Sequence, residues 1–168
     1  MPDEKRKSKM TKRPPKGGSE VVAALNELLT GELTAINQYF LHAKMCRNWG
    51  FEKLAAKTHA ESIDEMKHAD ALIERILYLD GLPNVQRLGR IRVGETVREA
   101  LESDLSLEYE AVPRLREAIA LCTTQGDHGS RILCERILVS EEAHLDWLET
   151  QLRLMDNVGD DAYLAEQI

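Results

Sequence analysis

From Ser19 onward, apolar residues recur every three or four positions, as Val21, Val22, Leu25, Leu28, Leu29, Leu33, Ile36 and Phe40, which is the period of an amphipathic helix. Asn48-Trp49-Gly50 interrupts the pattern. A second helix is predicted from about Phe51 to Asp80, with Gly81 suited to end it and Pro83 just beyond. A third begins near Gly94-Glu95-Thr96 and reaches about Cys122, where the run Thr123 to Gly129 breaks it. A fourth extends from Ser130 to about Met155. Asn157-Val158-Gly159-Asp160 reads as a turn and residues 161–167 as a short fifth helix. The one short run with strand character lies near Arg90–Val93.

The segment 82–94 sets the topology. Thirteen extended residues reach about 40 Å at ~3.3 Å each, and a helix of about 27 residues is equally long at ~1.5 Å per residue. The linker can therefore run the length of a bundle, leaving helices two and three parallel while the tight turns make the flanking pairs antiparallel. The expected fold is all-α, a four-helix bundle with one long crossover and a short fifth C-terminal helix. Pro113 falls inside the third helix, where it removes a backbone donor and is expected to bend it.

Charge divides the chain in two. Residues 1–18 carry seven Lys/Arg and two acids, whereas the remaining 150 carry 15 Lys/Arg and 27 Asp/Glu. The acidic body repels nucleic acid and attracts cations. The first 18 residues are nearly free of apolar side chains and contain Pro14-Pro15 and Gly17-Gly18, so they are expected to form a disordered basic tail, with residues 19–168 as the bundle. Such a tail is first a solvated, solubilising segment, and only secondarily an arm for nucleic acid. No apolar run approaches the ~18 residues a membrane helix needs, and no apolar secretory segment is visible. Cys46, Cys122 and Cys134 are an odd count without CxxC, which points to a reducing, cytoplasmic setting rather than a disulfide framework.

Within this frame one constellation carries chemistry. Glu65-x-x-His68 lies in the second helix and Glu141-x-x-His144 in the fourth, each pair on one helix face. Glu32 and Glu108 sit in otherwise apolar faces of the first and third helices. Each precedes its ExxH glutamate by 33 residues, and the two sets are offset by 76 residues, so the chain reads as two copies of one helical hairpin. One Glu from each of two helices plus ExxH from each of the other two is the ligand set of a carboxylate-bridged dinuclear metal site. Four buried carboxylates are prohibitively costly alone. Two divalent cations offset them, and the imidazoles suit Fe, Mn or Zn. Tyr39, two turns beyond Glu32, is either a core-edge aromatic or a phenol that donates to, or exchanges electrons with, the metals. Trp147, a turn beyond His144, admits the same two readings. The neighbouring acids Glu61, Asp64, Asp70, Asp104, Glu142 and Asp146 read as mostly solvated faces, with some of them candidates to line a cation path. Met66, one residue from Glu65, is turned about 100° away from it and should face the bundle exterior.

The segments GELTAINQYFLHAKMCRNWG, ESIDEMKHAD, ERILYLDGLPN, ESDLSLE and EEAHLDWLE resemble the bacterioferritins, the haem-containing branch of the ferritin family, over residues 19 to about 168. The resemblance implies a ferritin-like bundle and a hollow 24-subunit homo-oligomer built from twofold dimers. It implies a ferroxidase that oxidises iron ions with O₂ or peroxide and stores the ferric mineral inside. In that family the positions of Glu32, Glu65, His68, Glu108, Glu141 and His144 hold a di-iron centre, with Glu65 and Glu141 as bridges, and the position of Tyr39 is a redox-active tyrosine. Met66 matches the ligand of a non-covalent haem b, one per two subunits, which assists iron release with a ferredoxin-type reductant. Leu33, Ile36, Asn37, Phe40 and Ile63 would line that haem pocket. Asp64 matches an inner-surface acid, but the histidine that accompanies it in some members is Ala60 here. Two other readings compete. A rubrerythrin-like oxidase would need a Cys₄ iron module, and a DNA-protecting mini-ferritin would place its ligands between subunits.

Overall fold

The computed structural model of the chain describes residues 16–168. It contains α1 (Ser19–Asn48), α2 (Glu52–Tyr78), α3 (Val97–Thr124), α4 (His128–Val158) and the short α5 (Asp160–Ala165). Among the described residues there is no strand, and Arg90–Val93 is irregular crossover. Of the expected basic tail, residues 1–15 lie outside the described residues. Lys16 pairs with Asp80, and Gly17 backs onto Asp127 and Leu79.

Two apolar clusters fix the topology. The first joins Val21, Leu25 and Leu29 from the start of α1 to Leu72 and Ile76 from the end of α2, Leu115 and Cys122 from the end of α3, and Cys134 and Ile137 from the start of α4. The second joins Cys46 at the end of α1 to Leu54 and Ala55 at the start of α2, Val97 and Leu101 at the start of α3, and Leu148 and Met155 late in α4, with Tyr163 of α5 closing that end. Helices α1 and α2 are therefore antiparallel, as are α3 and α4, while α2 and α3 run parallel. The crossover of residues 79–96 must travel from one cluster to the other, along the whole bundle. Each fully buried leucine in these clusters contributes on the order of 1.5–3 kcal/mol.

A polar stripe on α1 receives the crossover. Asn26, Thr34, Gln38 and His42 share one face of the helix. Asn26 Oδ1 accepts from the Asn84 N–H at 2.7 Å, Thr34 Oγ1 from Gly89 at 2.8 Å, Gln38 Oε1 from Arg92 at 2.9 Å and His42 Nε2 from Gly94 at 3.0 Å. The crossover has no regular partner for its backbone, so these side chains satisfy donors that would otherwise be stranded. Gly94 is required at the last contact, since a Cβ there would lie 2.2 Å from the Ala100 backbone nitrogen.

Helix ends differ from expectation for local reasons. Helix α4 starts two residues earlier than the expected Ser130, because Asp127 caps it: its Oδ1 accepts from the Ser130 N–H at 3.0 Å and from Arg75 Nη2 at 2.6 Å. Burial opposes ionisation of Asp127, but the Ser130 and Arg75 bonds outweigh it and hold its carboxyl below the usual range. Helix α2 stops at Tyr78 rather than Asp80, which adopts the left-handed conformation (φ 61°). The expected four-residue turn at 157–160 shrinks to Gly159 alone, at φ 85°. Pro113 lies within α3, which continues to Thr124.

Candidate metal centre

Between the two apolar clusters, at mid-height, each long helix turns polar side chains inward. Glu32 of α1, Glu65 of α2, Glu108 of α3 and Glu141 of α4 are all buried, and the ExxH spacing brings His68 and His144 onto the same inner faces. All six sequence-predicted residues thus meet in one place. Their oxygen and nitrogen atoms fall into two groups, each with its members within 4.8 Å of one another: Glu32, Glu65, His68 and Glu141; and Glu65, Glu108, Glu141 and His144. Glu65 and Glu141 belong to both.

The histidines face the carboxylates through Nδ1. In His68 this atom lies 2.9 Å from Glu65 Oε2, 3.0 Å from Glu141 Oε1 and 3.6 Å from Glu32 Oε2. In His144 it lies 2.9 Å from Glu108 Oε1. Tyr39 is fully buried, donates its hydroxyl to the same Glu108 Oε1, and meets the His144 ring edge-on at 5.3 Å. Its place is against the cluster rather than at a core edge. Trp147 stacks on His144 with 6.2 Å between ring centroids.

Two unit charges about 4 Å apart repel by ~4 kcal/mol at an effective dielectric near 20. Several such pairs rival the ~5–15 kcal/mol stability of a whole domain. The cluster therefore holds protons. Burial first, and the neighbouring carboxylates after it, push Glu65 well up and Glu141 up to about 10. Burial likewise raises Glu32, against the bond to His68. For His68, burial disfavours the cation, but three carboxylates outweigh it and raise the imidazole to about 12. Glu108 is the exception, because the His144 contact overrides burial and lowers it. Burial drives the Tyr39 phenol well up, with Glu108 adding to it.

The donor set fits divalent cations. Glu108 Oε2 is buried with no hydrogen-bond partner, and Glu141 Oε1 lies near His68 without hydrogen-bond geometry. Buried carboxylate oxygens left in this state are expensive unless a cation takes them.

Several placements differ from the sequence reading. Asp104, expected on a solvated face, is buried and lies 2.7 Å from His42 Nδ1 and 2.8 Å from Gln38 Nε2. Glu61 is also buried; it pairs with Lys57 and places Oε2 3.7 Å from His144 Nδ1. Asp64, by contrast, is at the surface in an ion pair with Lys67 at 2.6 Å. Met66 faces the exterior, 52% exposed, with Phe40 and Ile63 also exposed. The i+4 stripe on α1 was the available signal for Gln38 and His42, and Asp104 lies one turn before Glu108 on the face that meets them.

Comparison with known proteins places these features in a family. The family described as Ferritin-like domain matches residues 22–158. A bacterioferritin of Mycobacterium tuberculosis is 55% identical over 150 residues, covering 89% of this chain and 94% of its own. One from Streptomyces coelicolor is 52% identical over 152 residues, covering 90% and 91%. One from Brucella melitensis is 44% identical over 148 residues, covering 88% and 92%.

Proposed function

The chain belongs to the bacterioferritin family, and on that premise we propose that it is an iron-storing ferroxidase. The reaction is 4 Fe(II) + O₂ + 4 H⁺ → 4 Fe(III) + 2 H₂O, with peroxide as an alternative oxidant and the ferric product retained in a cytoplasmic 24-subunit shell built from twofold dimers. The observation that carries this reading is the pair of ligand groups that share Glu65 and Glu141. Glu32 and His68 serve one Fe(II) substrate ion, Glu108 and His144 the other, and Glu65 and Glu141 bridge them. Shared carboxylates hold both ions close, so a two-electron reduction of oxidant is supplied from one site. Tyr39 fixes Glu108 through its hydroxyl and is the nearest phenol for a further electron. Among the described residues, no helix is long and apolar enough to cross a membrane.

Met66 suits a haem shared across a twofold axis. Its thioether lies outside the bundle among exposed Phe40 and Ile63, as an apolar planar ligand requires. A twofold contact repeats the same patch, so the haem would be held by one Met66 thioether from each of two chains. When bound, haem supplies one-electron transfer for iron release, with a ferredoxin-type protein as the electron source.

Stopped-flow Fe(II) oxidation in Glu108→Ala tests the reading. The variant is expected to assemble and to lose the rapid oxidation phase. Wild-type kinetics in Glu108→Ala would overturn the ligand assignment.

A further inference from the structure

A cavity of about 260 Å³ leads from the metal centre to the bundle surface beneath the crossover. Its floor is formed by Tyr39 and the four glutamates of the centre. Its mouth has the opposite character. Arg87, Arg90 and Arg92 of the crossover and Arg114 of α3 line it, against only two acids, Glu27 and Glu110. Glu27 pairs with Arg87. Glu110 is shared between Arg92 at 2.8 Å and Arg114 at 3.1 Å. Both acids are thus engaged, and positive charge remains in excess. Arg90 is exposed and has no acidic partner among the described residues. Arg114 gives Glu110 only Nη2. Facing it on α1 is Gly31, where a Cβ would meet nothing nearer than Arg114 Nη1, at 3.7 Å. Packing does not force glycine there; its effect is to leave the wall beside the guanidinium open.

A mouth that served only the entry of a divalent cation would be acidic. Guanidinium groups instead offer paired N–H donors that match the oxygens of an oxyanion. We propose that this mouth binds a small tetrahedral oxyanion of the phosphate class, with Arg90 and Arg114 as principal donors. The site stands on the arginines alone. Its consequence for the centre rests on the metal reading: an anion at the mouth and cations at the floor attract, so each tightens the other by the same factor.

Equilibrium dialysis of the full-length, iron-free protein against inorganic phosphate tests the site, with a parallel arm using the monoester glycerol 2-phosphate. The wild type should show saturable phosphate binding, and R90Q/R114Q should bind about tenfold more weakly or worse, a loss of ~1.4 kcal/mol or more. Arg116→Gln, whose partner Glu142 is outside the cavity, should bind as wild type. Phosphate bound without the monoester assigns the free ion; both bound assign the phosphoryl group. Absent saturable binding, or equal binding by wild type and R90Q/R114Q, would overturn the proposal. Co(II) uptake by R90Q/R114Q, read by visible absorption, reports that its bundle is intact. A wild type that binds phosphate but takes up no Co(II) would count against the metal reading and leave the anion site standing.

Discussion

The backbone N–H of Gly94 donates to His42 Nε2 at 3.0 Å, which assigns the ring proton to Nδ1 and makes His42 the donor to Asp104 Oδ1 at 2.7 Å. One imidazole thereby ties the end of the crossover to α1 and α3 at once. Asp104 is raised by its burial, against the bonds from His42 and Gln38 that favour its charged form.

His42→Ala leaves the Gly94 N–H without its acceptor, at a cost of about 1–3 kcal/mol, and leaves Asp104 with Gln38 as its remaining donor. The variant should lose about 1–3 kcal/mol of stability, read as a lower urea midpoint with an unchanged slope. An unchanged midpoint would show that the crossover is held by other contacts.

The convergence of the six candidate ligands was legible in the sequence and the clamp on the crossover was not. Glu32, Glu65, His68, Glu108, Glu141 and His144 repeat at fixed spacing in two hairpins, and helix geometry converts that spacing directly into convergence. Asn26, Thr34, Gln38 and His42 also repeat by helical turns, but a polar stripe reads as a solvent face until the crossover is laid over it. Asp104 and Glu61 were misplaced for the same reason, since their burial depends on chains distant in sequence. The helix ends at Asp127 and Gly159 turned on a cap and a single positive φ, both below the resolution of periodicity.

Metal binding should release protons. With His68 raised to about 12 and Glu141 to about 10, both carry protons at pH 7, and ligation requires that these leave. Affinity should therefore rise with pH and fall as acid restores the protons. Calorimetric titration in buffers of different ionisation enthalpy measures the number released. A buffer-independent heat would contradict the protonated cluster.

Met66→Leu is close to isosteric and removes only the thioether. Haem content, read from the visible spectrum of purified protein, should fall to near zero while the native mass is unchanged. Retained haem would place its ligand elsewhere.

The most direct test of the central claim is a Co(II) titration of the metal-free protein followed by visible absorption. Six ligands with shared Glu65 and Glu141 predict two ions per chain, and loss of that two-ion uptake in Glu65→Ala and in Glu141→Ala. One ion or none per chain in the wild type, or two ions retained in either variant, would contradict it.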